Sequence, residues 1–239
     1  MPSLKRSIDI AVSLAAMPVL AVATLIMTIA LGIMGSNGPV FFRQERVGYR
    51  GRRFKCYKFR TMTVGADSSA HQAYLSQLMG SGAPMVKMDS LGDSRLIPGG
   101  WLLRASGLDE LPQLINVLRG EMSLIGPRPC LPYEYENYLP WQQQRFNATP
   151  GLTGLWQVSG KNRTTFDEMI RLDIEYSERQ SFWLDMRIVL MTVPAIVRQI
   201  FDTGSARSAM AHSRPRKVVA LSAQISDEGP KEVFSRRAS

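Results

Sequence analysis

The sequence contains little cysteine and little histidine, with two of each among 239 residues. Two cysteines exclude a small disulfide-stabilised scaffold, and a chain of this length buries a sizeable core as one domain without covalent staples. His71 and His212 are far apart and show no metal-ligand spacing, and neither a glycine-rich dinucleotide fingerprint nor a P-loop is present. A composition of 45% hydrophobic and 21% charged residues also excludes collagen and a wholly disordered chain.

Charge is missing from one long stretch near the N-terminus. No charged residue occurs between Ile10 and Phe42, and the part from Leu14 to Met34 is almost wholly apolar. A helix of this length, rising about 1.5 Å per residue, is long enough to cross a hydrocarbon core of roughly 30 Å. The run is too long for a signal peptide and has no polar face of the kind that a core helix of a soluble protein carries. We therefore expect residues 1–42 to enter a membrane.

The basic residues beside this stretch bear on its topology. Lys5 and Arg6 precede it, a stronger basic segment follows it, and positive charge favours the cytoplasmic side of a membrane. A straight span leaves one basic flank outside, whereas a re-entrant hairpin keeps both inside. Pro18 removes a helix hydrogen bond and bends the axis, and Ser13 can help to satisfy the backbone near such a break. Because proline is also tolerated in a kinked but complete span, the residues alone leave both arrangements open.

The segment from 43 to 60 combines positive charge with aromatic side chains and contains one acid, Glu45. Such a segment can bind anionic lipid, the phosphates of a substrate, or nucleic acid. The adjoining membrane segment argues against nucleic acid, so we expect no nucleic-acid partner. Its eight basic residues are Arg43, Arg46, Arg50, Arg52, Arg53, Lys55, Lys58 and Arg60.

The clearest helix signal runs from Leu108 to Arg119, where apolar residues recur at i, i+3, i+4 and i+7 ahead of Gly120. Pro112 is tolerated only in a first turn, which places the start of the helix near Asp109. Asp109 and Glu110 then lie at the helix N-terminus, where unpaired amides and the helix dipole favour anions and phosphate.

Two adjacent carboxylates at such a position can bind Mg²⁺, or one of them can attack a phosphoryl group. Alone, the pair is weak evidence, because acids at helix starts commonly serve as caps. Its neighbours strengthen the functional interpretation. Arg104 precedes the pair by five residues, and the turn from Gly126 to Pro129 holds Arg128 between two prolines, which suits fixed phosphate recognition.

Several motifs in this order resemble the bacterial sugar transferase family, the polyprenyl-phosphate hexose-1-phosphate transferases, also called monotopic phosphoglycosyl transferases. The resemblance extends from about Lys5 to Phe201, and the short chain looks most like the compact members that initiate exopolysaccharide synthesis. The motifs are Lys58-Phe59-Arg60-Thr61-Met62, Leu108-Asp109-Glu110-Leu111-Pro112-Gln113-Leu114, Asn116-Val117-Leu118-Arg119-Gly120-Glu121-Met122-Ser123, Gly126-Pro127-Arg128-Pro129, Pro150-Gly151-Leu152-Thr153-Gly154 and Trp156-Gln157-Val158-Ser159-Gly160.

The resemblance implies transfer of hexose-1-phosphate from a UDP-hexose to undecaprenyl phosphate, with release of UMP, by a ping-pong route that uses Mg²⁺. It assigns the nucleophile to Asp109, which forms a covalent phosphosugar intermediate. Glu110 becomes the partner that helps to place the metal or to handle protons. Lys58, Arg104 and Arg128 become the phosphate-binding cations. The family is monotopic with a broken re-entrant helix, which favours the hairpin.

The sequence departs from the family pattern at two places. Related chains carry a Ser-Pro pair some four to six residues later than Pro18, which here follows Met17, so the break is expected about a turn earlier. The Gly-Arg pair common after the Trp-Gln-Val-Ser motif is Gly160-Lys161 here, so a nucleotide contact from that arginine does not transfer.

The last third of the chain is less informative. Thr165 to Arg179 is amphipathic, and we expect Asp173 and Tyr176 either to line the site or, preferably, to lie on the exposed surface. The apolar part from Phe182 to Phe201 carries too many charges near its start for a second span, so it is expected at the membrane interface or in the core. Beyond Thr203 we expect disorder.

These expectations define an α+β, mostly helical protein. They comprise a re-entrant anchor (1–42), a small cytosolic catalytic domain (43–202) with amphipathic interfacial helices, and a disordered basic tail (203–239). The domain is expected to face the cytoplasm at a bacterial inner membrane, with Cys56 and Cys130 as free thiols. The alternative is a non-catalytic membrane scaffold that binds anionic lipid or assembly partners. The choice between galactose and glucose, and between monomer and homo-oligomer, stays open.

Overall fold

The computed structural model describes residues 3–36, 38–65, 73–74, 76–79, 83–85, 93, 95–160 and 163–212, without the side chains of 207 and 209–212. His71, Lys161 and the chain from residue 213 onward lie outside the described residues. Within them the protein is mostly helical with two small β-sheets, as predicted.

The N-terminal apolar stretch forms helix α1, Ser3–Ile33. Among the described helices, α1 alone is long and apolar enough to cross a membrane. The helix is continuous through Ser13 and Pro18, so the predicted helix break is not confirmed. A proline costs one backbone hydrogen bond, and the other turns of a long apolar helix keep theirs, which lets the helix run on.

A β-hairpin follows, formed by β1 (Phe41–Val47) and β2 (Arg53–Phe59). The strands are antiparallel and pair Phe41 with Phe59 at one end and Val47 with Arg53 at the other. The turn needs left-handed backbone at two residues, Arg50 (φ 53°) and Gly51 (φ 73°).

Arg60, at the end of this hairpin, ties it to the end of α1. Its guanidinium is buried and donates to Pro39 O at 2.9 Å, Ser36 Oγ at 2.9 Å and Ser36 O at 3.2 Å. One of the eight basic residues is therefore structural, because it satisfies the carbonyls of the connecting turn.

The predicted helix from Leu108 to Arg119 is present in two parts. Helix α2 (Gly100–Ser106) leads through Gly107 (φ 75°) into a 3-10 helix, Leu108–Gln113, and then into α3, Leu114–Arg119. Pro112 lies inside the 3-10 part, where its lack of an N–H explains why an α-helix does not begin until Leu114. Gly120 (φ 79°) ends α3, as predicted.

The remaining chain contributes the second sheet and the larger helices. Strand β3 (Ser123–Ile125) runs parallel to β4 (Gly151–Thr153). The other elements are α4 (Pro132–Glu136), a 3-10 helix (Gln142–Asn147), α5 (Leu155–Val158), α6 (Phe166–Arg179) and α7 (Phe182–His212). Helix α7 continues through residues 203–212, which were expected to be disordered, because alanine and arginine are good helix formers.

Helix α6 was predicted as amphipathic, and its buried face packs into the largest core cluster. Asp173 and Tyr176 lie on this face, with 0% and 1% of their surfaces exposed, so the expectation of an exposed surface position was wrong. Both residues follow Met169 and Ile170 at helical spacing, which places them on the core side of the helix.

Exposed apolar side chains are concentrated on α1 and α7. On α1 they run from Leu4 to Ile33, while Leu20, Met27 and Leu31 on the opposite side pack against the domain. On α7 they recur at helical spacing: Phe182, Trp183, Met186, Val189, Leu190, Val193, Val197 and Phe201. An apolar stripe on a helix that also packs against a folded domain is typical of an interfacial helix.

Candidate active site

The two predicted carboxylates lie at the start of the 3-10 helix, directly after the left-handed Gly107. Asp109 is buried, with 5% of its surface exposed, and Glu110 is half-buried. The amide of Glu110 donates to Gly107 O at 3.0 Å, which fixes the first turn. The two carboxyl groups are therefore held on a short, rigid segment.

Lys58, near the end of β2, forms an ion pair with Glu110. The distance between Nζ and Oε1 is 2.6 Å, and both side chains are largely buried. The sequence predicted both residues for the site, and the fold brings them into contact from positions 52 residues apart. The ion pair holds the lysine charge beside the carboxylate pair.

Asn116 explains why β2 and the carboxylate segment meet in this register. Its side chain is fully buried, accepts from Tyr57 N at 3.1 Å and donates to Lys55 O at 2.8 Å. It also donates to Glu121 Oε2 at 2.6 Å. These bonds attach α3 to the backbone of β2 on both sides of Cys56, and so position Lys58 opposite Glu110.

Arg128 lies on the predicted rigid turn, and the structure shows that the backbone of this turn is fixed from outside. Four consecutive carbonyls each accept a hydrogen bond from a distant part of the chain: Pro127 O from Gly151 N (2.9 Å), Arg128 O from Arg145 Nη2 (2.8 Å), Pro129 O from Arg46 Nη1 (3.0 Å) and Cys130 O from Val47 N (2.9 Å). The half-buried Arg128 side chain is therefore presented from a fixed backbone.

Arg145 is itself held by a buried network. It forms an ion pair with Asp173 and donates from Nη1 to Tyr138 Oη at 2.6 Å, and all three side chains are buried. Burial raises the pKa of Asp173 to about 6, while the charge of Arg145 opposes that rise. The network acts on the site through the backbone of Arg128 and does not itself line the site.

A small cavity opens where these elements meet. Lys58, Glu110 and Arg128 line it, so the fold brings three of the predicted residues together. Asp109 lies next to Glu110 in the chain. The other lining residues are Arg46, Cys56, Gln113, Pro129, Gly151, Leu152 and Gln157. Three cations and one carboxylate around one cavity favour a ligand with more than one negative charge.

Arg104 is placed differently from the other predicted cations. It lies at the end of α2, where its backbone carbonyl accepts from Gln199 Nε2 at 3.2 Å, and it does not line the cavity. Its charge reaches Asp93, whose pKa is lowered mainly by a hydrogen bond from Arg95 and to a lesser degree by Arg104.

The predicted magnesium site rests on Asp109 and Glu110. The described residues contain no cluster of three or more histidine, cysteine, aspartate or glutamate side chains that could hold a metal ion. Mg²⁺ at phosphoryl-transfer sites usually binds through one or two carboxylates, with water and substrate phosphates completing its shell. Asp109 and Glu110 are adjacent in the chain, Glu110 lines a cavity with three cations, and this pair of carboxylates fits that donor set.

Three residues of the site escaped the sequence analysis as individuals: Arg46, Asn116 and Arg145. Asn116 gave a usable signal, because asparagine is unfavourable in the interior of a helix. Its presence there indicates that its side chain makes a tertiary contact. Arg46 and Arg145 gave none, because their partners are 83 and 28 residues away in the chain.

Comparison with known proteins shows which family the chain is similar to. The sequence profile of the family described as "Bacterial sugar transferase" matches residues 2–199. Galactosyl transferase CpsE of Streptococcus agalactiae is 42% identical over 167 residues, covering 69% of this chain but 36% of that protein. Exopolysaccharide production protein ExoY of Sinorhizobium fredii is 35% identical over 192 residues, covering 80% of this chain and 84% of that protein.

A third relative is the UDP-glucose:undecaprenyl-phosphate glucose-1-phosphate transferase of Caulobacter vibrioides, which is 40% identical over 202 residues, covering 81% of this chain and 69% of that protein. The chain thus spans about a third of the CpsE protein and most of ExoY. The family match includes α1, the carboxylate pair and every residue that lines the cavity. The chain belongs to the bacterial sugar transferase family.

Proposed function

We propose that this chain transfers hexose-1-phosphate from a UDP-hexose to undecaprenyl phosphate and releases UMP, as the first step of exopolysaccharide or glycan assembly. The observation that carries the proposal is the cavity lined by Glu110, Lys58 and Arg128. Asp109 is buried and is the chain neighbour of Glu110, but it is not itself among the residues that line this cavity. The printed names of the relatives support it, since one is a galactosyl transferase and another a glucose-1-phosphate transferase that acts on undecaprenyl phosphate. ExoY is named an exopolysaccharide production protein, which supports exopolysaccharide assembly as the process.

The reaction proceeds in two displacements. An oxygen of the Asp109 carboxylate attacks the phosphorus that bears the hexose, the bond from that phosphorus to the bridging oxygen breaks, and UMP leaves with the electron pair. An oxygen of undecaprenyl phosphate then attacks the same phosphorus and releases the carboxylate of Asp109. The product is an undecaprenyl diphosphate hexose, and the nucleophile returns to its starting state.

The remaining residues stabilise the charge that develops on the phosphoryl oxygens. Lys58 and Arg128 supply fixed positive charge, and the ion pair with Glu110 keeps the lysine in place before substrate binds. Mg²⁺, held by Asp109 and Glu110 when it is bound, neutralises the charge of the diphosphate. The hydrogen bonds to the turn that carries Arg128 keep the guanidinium of Arg128 in position during the reaction.

The anchor is proposed to enter and leave the membrane on one face, the cytoplasmic face of the inner membrane. Both ends of α1 contact the same domain: Arg6 donates to Val117 O and Leu118 O, and Leu31 belongs to one cluster with Phe59. A straight span would carry one of these ends away from the domain. The re-entrant arrangement stays our proposal and requires α1 to bend in the membrane, because the continuous helix Ser3–Ile33 cannot itself enter and leave on one face.

A direct assay tests the reaction. Purified full-length chain, UDP-galactose or UDP-glucose, undecaprenyl phosphate and Mg²⁺ should release UMP, and Asp109→Asn should lower turnover by at least about a thousandfold, as expected for loss of a nucleophile. Asp202→Asn is the matched control, because Asp202 is an exposed aspartate on α7. Full turnover by Asp109→Asn would show that the nucleophile is misassigned.

The two-step route has its own signature. Enzyme and radiolabelled UDP-hexose without lipid acceptor should give about one UMP per enzyme and a labelled protein, and Asp109→Asn should give neither. A scaffold that only binds lipid would release no UMP under either condition. Cysteines introduced at both ends of residues 10–42 should be inaccessible to a reagent added from the periplasmic side, and labelling of the N-terminal end would exclude the re-entrant arrangement.

A further inference from the structure

Two buried polar atoms in residues that line the cavity have no hydrogen-bond partner. They are Nε of Arg46, which is a donor, and Oε1 of Gln157, which is an acceptor. Buried polar groups are normally paired, and an unpaired one costs free energy. One unsatisfied donor and one unsatisfied acceptor in residues that line one cavity match a ligand that carries both an acceptor and a donor.

Arg46 is the more unusual of the two. It is 7% exposed, and its other recorded bonds go to neutral oxygens, Pro129 O at 3.0 Å and Gln44 Oε1 at 2.8 Å. No described carboxylate lies within ion-pair distance of it. Burial and the charge of Arg128 lower the pKa of Arg46, while the charge of Glu134 opposes this shift. A buried charge of this kind is costly unless an anion arrives to pair with it.

The Gln157 amide is oriented by its own hydrogen bond. Its Nε2 donates to Leu152 O at 3.3 Å, which leaves Oε1 as the acceptor. Gly154 provides the space: a Cβ built there would lie 2.7 Å from Oε1, so any larger residue at 154 would crowd the acceptor. The fixed Oε1 of Gln157 can accept a hydrogen bond from a hydroxyl or an N–H of the ligand, and so favours ligands that carry one.

We propose that Arg46 and Gln157 form a further substrate-binding pair in this cavity, in which Arg46 binds a phosphate oxygen and Gln157 accepts a hydrogen bond from a neighbouring hydroxyl of the same ligand. The inference rests on the proposed function, which supplies a ligand of this chemistry. Both halves of a UDP-hexose carry a phosphate with hydroxyl groups near it. Binding of UMP and of a hexose-1-phosphate, tested separately, distinguishes the two halves.

Arg46 and Gln157 are separate from the ion pair of Lys58 and Glu110, although Arg46 also donates to Pro129 O in the turn that carries Arg128. Removal of the Arg46–Gln157 pair should therefore weaken binding of the soluble donor and leave the lipid acceptor unaffected. A purely structural role for the two residues would lower stability without this selectivity.

The test uses full-length chain in lipid nanodiscs and calorimetric titration with UDP, UMP and glucose-1-phosphate. Arg46→Lys keeps the charge but loses Nε–H and the fork geometry, and it should weaken binding of UDP at least about tenfold. Arg52→Lys is the matched control, since Arg52 is an exposed arginine between the same two strands, and it should bind UDP within about twofold of the unmodified chain. Arg46→Lys should weaken the binding of either UMP or glucose-1-phosphate. The probe that is affected identifies the half of the UDP-hexose that the pair contacts.

Gln157→Glu provides a second, independent readout. It places a carboxylate in a cavity that Arg46, Lys58 and Arg128 line, so the ligand-free protein should melt at a higher temperature. Repulsion between this carboxylate and the phosphate of the ligand should lower the affinity for UDP at least about tenfold. With either variant, KM for the UDP-hexose should rise while KM for undecaprenyl phosphate stays the same. Folded Arg46→Lys and Gln157→Glu variants that bind UDP like the unmodified chain would overturn the inference. Failure of the unmodified chain to bind any of the three probes would instead contradict the proposed function.

Discussion

Lys5 in the first turn of α1 forms an ion pair with Asp185 in the first turn of α7, with 2.5 Å between Nζ and Oδ2. Tyr176 joins the same group: its hydroxyl donates to Asp185 Oδ1 at 2.7 Å and accepts from Lys5 at 3.0 Å. The two helices with the most exposed apolar surface are thus fastened together by their polar first turns. Lys5, considered in the sequence as a charge that sets topology, is also a packing residue.

The first prediction concerns this ion pair. Lys5→Ala should lower the free energy of unfolding by about 2 kcal/mol, because it leaves Asp185 partly buried without its cation. Thermal unfolding of the detergent-solubilised chain measures the effect. Glu175→Ala, which removes the exposed pair with Arg179, is the control and should change stability by less than about 0.5 kcal/mol. Equal melting temperatures for Lys5→Ala and Glu175→Ala would show that the α1–α7 connection does not stabilise the fold.

The second prediction concerns the network behind Arg128. Arg145→Met should destabilise the fold by about 3–5 kcal/mol, because it leaves Asp173 buried without a cation and Arg128 O without its donor. Asp173→Asn should cost less, since an amide oxygen still accepts from Arg145. Denaturant unfolding of both variants gives the comparison. A larger loss from Asp173→Asn than from Arg145→Met would contradict the role assigned to the arginine.

Local patterns predicted much of this structure. Apolar periodicity located the helix from Leu108 to Arg119, and the proline placed Asp109 in its first turn. Each of these features depends on neighbours within a few residues. The resemblance assigned Lys58 and Glu110 to one site, but their direct contact was not predicted, because the register that produces it is set by Asn116, which acts across 59 residues.

The structure differs from the expectations in the environment of residues more than in the type of element. Asp173 lies on the face of α6 that the apolar pattern had already defined, yet its charge favoured an exposed position, because the buried partner Arg145 was invisible in the sequence. Arg104 is near Asp109 in the chain, but the left-handed Gly107 between them changes the chain direction, and the arginine does not line the cavity. A helix break was predicted at Pro18, whereas α1 continues through this residue.

The third prediction concerns the close approach of two backbone segments, at Gly126 and at Gly151. A Cβ at Gly126 would lie 2.1 Å from Thr149 O, so the backbone itself would have to move. Gly126→Ala should therefore destabilise the fold by about 3 kcal/mol and lower turnover by displacing the turn that carries Arg128. Gly204→Ala is the matched control, because a Cβ there meets nothing within 4 Å.

That control should leave turnover unchanged and raise stability slightly, by about 0.5–1 kcal/mol, since alanine is the better helix former in α7. Unfolding curves and UMP release measure both variants. A Gly126→Ala protein as stable and active as Gly204→Ala would show that strands β3 and β4 can separate without consequence for the site.

The fourth prediction concerns the two thiols. Cys56 and Cys130 are 1% and 2% exposed, burial raises the pKa of Cys56, and burial raises the pKa of Cys130 to about 12. Since the thiolate is the reactive form, neither residue should be alkylated by iodoacetamide at pH 8.5 in the folded chain, and both should react after unfolding in denaturant. Mass spectrometry of the alkylated protein counts the modified sites.

The same shift fixes the sign of a pH dependence. Above pH 9 the thiol of Cys130 ionises in the unfolded chain but stays protonated in the folded one, up to a pKa of about 12. The folded state then binds more protons than the unfolded state, so the contribution of this residue to stability is fully present below about pH 9 and is lost as the pH rises toward 12. Cys130→Ala should therefore unfold with a shallower loss of stability between pH 9 and 10.5 than the unmodified chain. An identical slope, or rapid alkylation of Cys130 in the folded protein at pH 8.5, would show that this thiol is not held in a dry core beside the Arg128 turn.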